Sequence, residues 1–402
     1  MISQEGIKYV LRNLNNRKTR TFLTSLSILI GIITIFVFIS FGAGLYYYIQ
    51  EMSESSGVDK IVIQPRGGGL VPGLDQNFQL NDNDINAVKR VSGVYEATPI
   101  AFRVAEINKI NERIYTFLIA YDPESPMITE VFGIDVEKGR QLQRGDRKNV
   151  LLGSSYSEDG NLFNRGYDLN QRINVQGENL NIIGFFEPVG NPQDDAQIYI
   201  TLDYFNELYP EAKGYGWIIA RVDFEDMDGI ISRVEESLRR ERGLKEGNED
   251  FFVQSFDDLI NAYSGALNVV IGFIILIALV SVLVSAINTS NTMITSVLER
   301  YKEIGVMKSI GAKNSEILWI FLFESALIGF VAGVIGVGIG AGISYLIGEV
   351  LASLGWSFLS PMFSIWLFIG CVLFATVTGA ISGVLPAIRA SKINPVDALR
   401  YE

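Results

Sequence analysis

The sequence predicts a membrane α-helical protein: four transmembrane helices, with a large extracytoplasmic α+β domain between helices 1 and 2. Three observations predict it. Charge is scarce, with 19% of the 402 residues being Asp, Glu, Lys or Arg, where soluble chains carry about a quarter. Mean hydropathy is positive. The scarcity is also local: Phe22–Gln50, Leu259–Leu298 and Val350–Ile388 hold no charge, and Ile317–Gly348 holds only Glu324.

A span needs about 20 mostly apolar residues, whereas an apolar run of about 10–14 reads as a buried core helix. The stretches are therefore assigned as transmembrane helix 1 and stalk at 22–50, stalk and helix 2 at 259–290, helix 3 at 317–348 and helix 4 at 364–388. Basic residues precede the first stretch, as in a secretory signal. It is about twice the length of a signal core of about 7–15 residues, so it is expected to stay as a helix. Before it, Ile7, Val10, Leu11 and Leu14 recur at helical spacing among Lys8, Arg12, Arg17, Lys18 and Arg20. Residues 1–21 are expected to form an interfacial amphipathic helix on an anionic leaflet.

Residues 51–258 differ in kind. They contain strand-like runs at 60–64, 115–120, 149–153, 180–186 and 217–222, and helical patterns at Asp82–Arg90 and Met227–Arg240. Asn81 or Asp82 is placed to cap the first of these helices. The segment is large enough for one or two small α+β domains.

Charge sets the expected topology. Residues 1–21 hold five Lys/Arg against one acid, 291–316 four against three, and the tail after Ile388 three against two; residues 51–258 carry a net −16. Lys and Arg near helix ends favour the cytoplasm. Both termini, the 291–316 loop and the 389–402 tail are expected inside, and the acidic domain outside.

Much chemistry is excluded. The chain has no His and one Cys, which removes imidazole bases, His or Cys-rich metal sites and disulfide frameworks. A net charge of −12 argues against nucleic acid as partner. No Gly-x-x-x-x-Gly-Lys-Ser/Thr run exists to cradle phosphates, and Arg66-Gly-Gly-Gly69 reads as a loop. The acidic groups Asp82/Asp84, Asp194/Asp195 and Asp223/Glu225/Asp226/Asp228 lack calcium-loop spacing. They read as a helix cap and solvated turns, so no metal is expected. No catalytic constellation is visible, although glycosidase-type carboxylate pairing is spatial and stays open.

Within the spans, Gly329/Gly333, Gly338/Gly342 and Gly379/Gly383 are GxxxG pairs, which let membrane helices approach closely. Glu324 is the one ionisable residue well inside a span. Such residues are paired or functional, and both readings stay open. Residues 296–313 form a short segment of mixed charge between two spans. Glu299 and Lys302 can meet on a helix, and Gly305 and Gly311 are expected to interrupt it. On residues alone this is either a docking element or an ordinary loop.

The run Val297-Leu-Glu-Arg-Tyr-Lys-Glu-Ile-Gly-Val-Met-Lys-Ser-Ile-Gly-Ala312, then Phe321-Leu-Phe-Glu-Ser325, resembles the signature of FtsX/MacB-type ABC transporter permeases. So does the ending from Pro386 to Glu402. Gly139-Arg-Gln-Leu142, Val150-Leu-Leu-Gly153 and Ile182-Ile-Gly184 are similar to the MacB periplasmic core domain. The resemblance covers essentially the whole chain.

It implies a permease subunit of a MacB-type exporter working by mechanotransmission, a homodimer more readily than a heterodimer, and a core domain split into a porter-like part (57–125 plus 215–256) and a β-rich insertion (126–214). It implies a separate P-loop ATPase docking on the 291–316 loop through Glu299, Arg300, Glu303, Ile304, Gly305, Lys308, Gly311 and Ala312. Glu324 matches the family's helix-3 Glu. MacB itself carries a fused ATPase domain and this chain has none, so ATP and magnesium are expected on the partner, with no cofactor and no enzyme activity here. A membrane-fusion adaptor is a further expected partner. The competing expectations are an FtsX-like transducer regulating cell-wall hydrolases, a lipoprotein-releasing permease and, outside the family, a membrane-anchored enzyme.

Overall fold

A computed structural model describes residues 18–55, 59–66, 79–109, 112–212 and 214–400. Helix α1 (Lys18–Ser55) comes first. Then follow β1 (Lys60–Pro65), α2 (Asp82–Lys89), β2 (Val94–Lys109), β3 (Glu112–Tyr121), α3 (Met127–Phe132), β4 (Val136–Gly139), β5 (Asn149–Leu152), β6 (Arg172–Val175) and β7 (Glu178–Phe186). After these come α4 (Pro192–Asp195), β8 (Ile198–Thr201), α5 (Leu202–Leu208), β9 (Trp217–Val222), α6 (Met227–Arg242) and β10 (Phe251–Ser255). The chain ends with α7 (Phe256–Glu299), α8 (Tyr301–Ser309), α9 (Asn314–Ser353), α10 (Ile365–Ser391) and α11 (Pro395–Arg400). Two compact units result: Tyr46–Ala266 with Ala352–Phe358, and a helical unit of Met1–Leu45, Leu267–Leu351 and Leu359–Glu402.

The extracytoplasmic unit is built on one twisted sheet, ordered β10-β1-β9-β2-β3-β8-β5-β7-β4, with β6 pairing β2 and β7. Strands β10, β1, β9 and the first half of β2 are antiparallel neighbours. With α2 after β1 and α6 after β9 they make a ferredoxin-like βαββαβ arrangement. Local chemistry fixes its helices. Asn81 caps α2 by accepting from the amides of Asn83 and Asp84, and Asp84 returns a bond to the Asn81 amide at 2.8 Å, a capping box. In α6, Ile230, Val234 and Leu238 are fully buried at four-residue spacing, and Gly243, at φ 65°, closes the helix. Arg242 then grips the buried Asp84 at 2.7 Å and Asp250 at 2.8 Å, which ties α6 to α2.

The second half of β2 turns to pair with β3 from Ala101 onward. β3 runs parallel to β8, and β5 parallel to β7. Strand β3 lies within the expected porter span 57–125 and pairs with β8 as well as β2. Gln176 and Gly177, both at positive φ, make the tight β6–β7 turn that matches strand twist. Ala105, Leu118, Val150, Ile182 and Ile198 are among the residues of the far core.

In the helical unit, four helices among the described residues are long and apolar enough to cross a membrane: α1, α7, α9 and α10. The protein is a multi-pass membrane protein. Ile32 and Phe36 of α1 lie against Gly336 and Gly340 of α9, and Phe36 meets Phe368 edge-on at 5.1 Å. Helix α7 runs to Glu299, past the expected end at 290. No Gly or Pro interrupts 291–299, and Met293 and Val297 bury on one face at i, i+4, so the helix propagates. Of the expected interfacial helix, residues 1–17 lie outside the described residues, as do 67–69 of the Arg66 loop.

Candidate functional site

The site is the turn from α7 into α9. Helix α7 stops at Glu299, and α8 starts after Arg300 (φ −101°, ψ 15°). Arg300 is the largest fully buried side chain described. Its Nη1 donates to Glu324 Oε2 at 2.8 Å, its Nε lies 3.5 Å from Glu303, and its guanidinium sits 4.8 Å from the Phe321 ring centre. Glu324 is also buried, on α9. A charge removed from water must be paired, and this pair joins the start of α8 to α9. Of the two readings of Glu324, the structure supplies a pairing partner.

The other end of α8 is held as well. Lys308 Nζ donates to the carbonyl oxygens of Ser391, at 2.8 Å, and Ile393, at 2.7 Å. These carbonyls close the C-terminal end of α10, where a cation suits the helix dipole. Gly305 does not interrupt α8; it sits mid-helix and buried. A Cβ there would approach the Ala398 Cβ of α11 to 2.5 Å, and Ala398 is itself fully buried. Gly305 is therefore the groove in which α11 lies. Gly311, at φ 104°, ends the segment, and Glu316 accepts from the Lys313 amide at 3.0 Å to start α9.

The eight residues named for docking thus divide. Arg300, Ile304 and Gly305 are buried, Lys308 and Ala312 are half-buried, and Glu299, Glu303 and Gly311 are exposed. The sequence paired Lys302 with Glu299 but did not name Lys302, Val306 or Ile310 for docking; the three are spaced four apart and exposed. Val306 is 49% and Ile310 82% exposed. Large apolar side chains left exposed on a short helix of mixed charge are the signal that could have found them.

The glycine pairs divide too. A Cβ at Gly329 would strike the Ala375 carbonyl and come within 3.2 Å of the Gly379 Cα. One at Gly379 would lie 3.0 Å from the Gly329 Cα, and one at Gly333 2.8 Å from the Ala375 Cβ. Gly383 fits against Ser325 of α9. These four make the close α9–α10 crossing. Gly338 and Gly342 have nothing within 4 Å, whereas Gly336 and Gly340 receive α1. A shift of two residues turns a helix by about 200°, so the overlapping glycine pairs face opposite sides.

This helical unit coincides with a match to the FtsX-like permease C-terminal family over residues 275–395. The MacB-like periplasmic core domain family matches residues 21–237, more than half of the chain. The chain belongs to the MacB/FtsX family of ABC-transporter permeases. It is 30% identical, over 98% of both chains, to an uncharacterized ABC transporter permease of Methanocaldococcus jannaschii. It is 27% identical, over 99% of both, to the uncharacterized permease YknZ of Bacillus subtilis. It is also 27% identical to the macrolide export ATP-binding/permease protein MacB of Bdellovibrio bacteriovorus, where it covers 62% of the relative's length. Within the family the chain is a MacB-type permease subunit, and α8 with its braces is the segment between its second and third membrane helices.

Proposed function

We propose that the chain is the permease of a MacB-type exporter and that a separate cytoplasmic ATPase docks on the exposed face of α8. ATP-driven closure of that ATPase pushes α8, and the movement reaches the extracytoplasmic domain, which handles the substrate. The observation that carries this reading is the bracing of α8 at both ends, by Arg300–Glu324 and by Lys308 with the end of α10, beneath an exposed face of Lys302, Glu303, Val306 and Ile310. A helix held this way transmits a push without deforming, and exposed apolar residues between charges suit a protein partner.

The reading places both termini and α8 in the cytoplasm, supported by the Lys/Arg bias of the short segments. It includes a homodimer, supported by α7, whose apolar window is only 6% buried within one chain. It includes a membrane-fusion adaptor on the extracytoplasmic side, and a core domain divided into porter-like 57–125 plus 215–256 and insertion 126–214.

The test is affinity purification from native membranes with mass spectrometry of what accompanies the chain. A P-loop ATPase should accompany wild type and be lost with Val306→Asp/Ile310→Asp, whose side chains are exposed. Retention of the ATPase by that variant sinks the docking face. No ATPase with wild type in mild detergent, and none stimulated on reconstitution, sinks the function.

A further inference from the structure

The connection from α9 to α10 does not behave as a plain loop. Its residues Ala352–Phe358 belong to the compact unit that holds the sheet. The Phe358 amide donates to the Gly190 carbonyl at 3.1 Å. A Cβ at Gly190, at φ 85°, would strike the Ser357 Oγ, and one at Gly355, at φ 83°, would lie 3.3 Å from the Pro192 Cγ. Phe358 also meets Tyr48 and Trp356, each at 5.6 Å between ring centres.

The loop that receives it, 187–197, is held stiffly. Asp195, 5% exposed, accepts from the amides of Val189 at 2.7 Å and Gly190 at 2.9 Å. Gly153, at the end of β5, donates its amide to Gln197 at 2.9 Å and packs on the Asp195 carbonyl. One residue later β8 begins, between β3 and β5 in the sheet.

We propose that segment 352–358 is a fixed joint through which α9 and α10 drive loop 187–197 and strand β8, with Ser357 and Phe358 as positioning residues. The inference rests on the proposed ATP-driven movement. It adds a mechanical path separate from the two chain segments that enter the domain from α1 and leave it into α7.

Two arms test it on the full chain in lipid nanodiscs. The first needs no ATPase. The Gly190 Cβ position lies 3.4 Å from the Ser357 Cβ, close to the roughly 3.5–4.5 Å of a disulfide. Gly190→Cys/Ser357→Cys, with Cys371→Ala, should cross-link on mild oxidation. Phe358→Pro removes the amide donor and should speed hydrogen exchange of 187–197 about three- to tenfold, the value of one hydrogen bond; Phe358→Ala, which keeps the amide, should change it less. No cross-link together with unchanged exchange in Phe358→Pro refutes the joint.

The second arm uses the chain with its co-purifying ATPase, comparing exchange with ATP–vanadate against nucleotide-free. In Phe358→Pro the ATP-dependent change in 187–201 should fall at least threefold while ATP turnover persists, and the cross-linked protein should keep its response. An undiminished response in Phe358→Pro, or its loss on cross-linking, overturns the inference. No ATP response anywhere in wild type overturns the proposed function and the inference with it, and a passing first arm tells that case apart.

Discussion

Removing one partner of the Arg300–Glu324 pair should be among the most damaging single changes in the helical unit. Arg300 is fully buried, and the Glu324 side chain is 6% exposed at 2.8 Å. Glu324→Gln removes the buried partner of the guanidinium and leaves it Glu303, 3.5 Å away and 58% exposed. Arg300→Met removes the guanidinium that donates to the buried Glu324 carboxylate. Either change should cost about 3–5 kcal/mol, the usual penalty for removing one partner of a buried pair. Replacing both, Arg300→Met with Glu324→Leu, removes both charges at similar volume, which elsewhere is neutral or stabilising. A coupling energy of about 2–3 kcal/mol should therefore appear in the double-mutant cycle. Thermal unfolding of the detergent-solubilised full chain, followed by tryptophan fluorescence, gives the four stabilities. Stimulated ATP turnover with the co-purified ATPase gives the four activities. The double variant should regain stability without regaining turnover, because an apolar pair holds no fixed direction between α8 and α9. Single variants within about 1 kcal/mol of wild type would refute the energetic argument. A double variant with normal turnover would refute the positioning role.

Three further outcomes follow from other contacts. Gly305→Leu should force α11 off α8 and lower stability by about 1–3 kcal/mol, an overpacking cost; limited proteolysis should then cleave the 392–402 tail faster, and Ala398→Gly should partly relieve it. Gly379→Leu, at the crossing with Gly329, should destabilise by at least as much, whereas Gly342→Leu, which faces open space, should shift single-chain stability by less than about 0.5 kcal/mol in thermal unfolding. Asp146→Asn should destabilise the extracytoplasmic domain in a pH-dependent way. Hydrogen bonds from Arg140 hold the Asp146 carboxyl down at about 2. Its contribution is therefore present above the unfolded value of about 3.9 and disappears as pH falls through about 2. The difference should be about 1–2 kcal/mol at pH 7, reduced because Arg140 is 43% exposed, and urea midpoints of variant and wild type should converge near pH 2.

The spans were readable because twenty uncharged residues in a row have few other physical explanations. The α2 and α6 helices were readable from caps and spacing. What failed to show in the sequence was always a matter of facing. The stretch Gly336-Val-Gly-Ile-Gly-Ala-Gly342 contains two GxxxG pairs two residues apart, and only the position of α1 selects Gly336/Gly340. Gly305 looks like a helix breaker until Ala398, 93 residues on, is seen beside it. Arg300 reads as one more cytoplasmic base. Its burial depends on where Glu324 and Phe321 fall on α9, which needs the angle between α8 and α9. The segment proposed for coupling was legible as a stretch of chain between two spans, while its division into inward and outward residues was not.

That division bears on how a push on α8 would travel. The long second helix is one candidate transmitter, since about 40 residues at about 1.5 Å each exceed a hydrocarbon core of about 30 Å. Helix α7 is continuous, but it ends at Glu299, and the backbone turns at Arg300 before α8 begins. Past that turn three anchors of α8 point elsewhere: Arg300 to Glu324 on α9, Lys308 to the end of α10, and Gly305 to α11. Helices α9 and α10 are in turn locked at Gly329 and Gly379. A load on α8 is therefore shared first with the α9–α10 pair, through a charged hydrogen bond, two lysine–carbonyl bonds and a glycine crossing. It reaches α7 through one backbone turn and the packing of Met293 and Val297. A stiffness argument alone makes α9 and α10 the lever, and a Gly-Gly insertion between Glu299 and Arg300 separates the cases. If α7 is the transmitter, the insertion should abolish the ATP-dependent exchange response of the extracytoplasmic domain; if α9 and α10 carry the load, most of that response should survive.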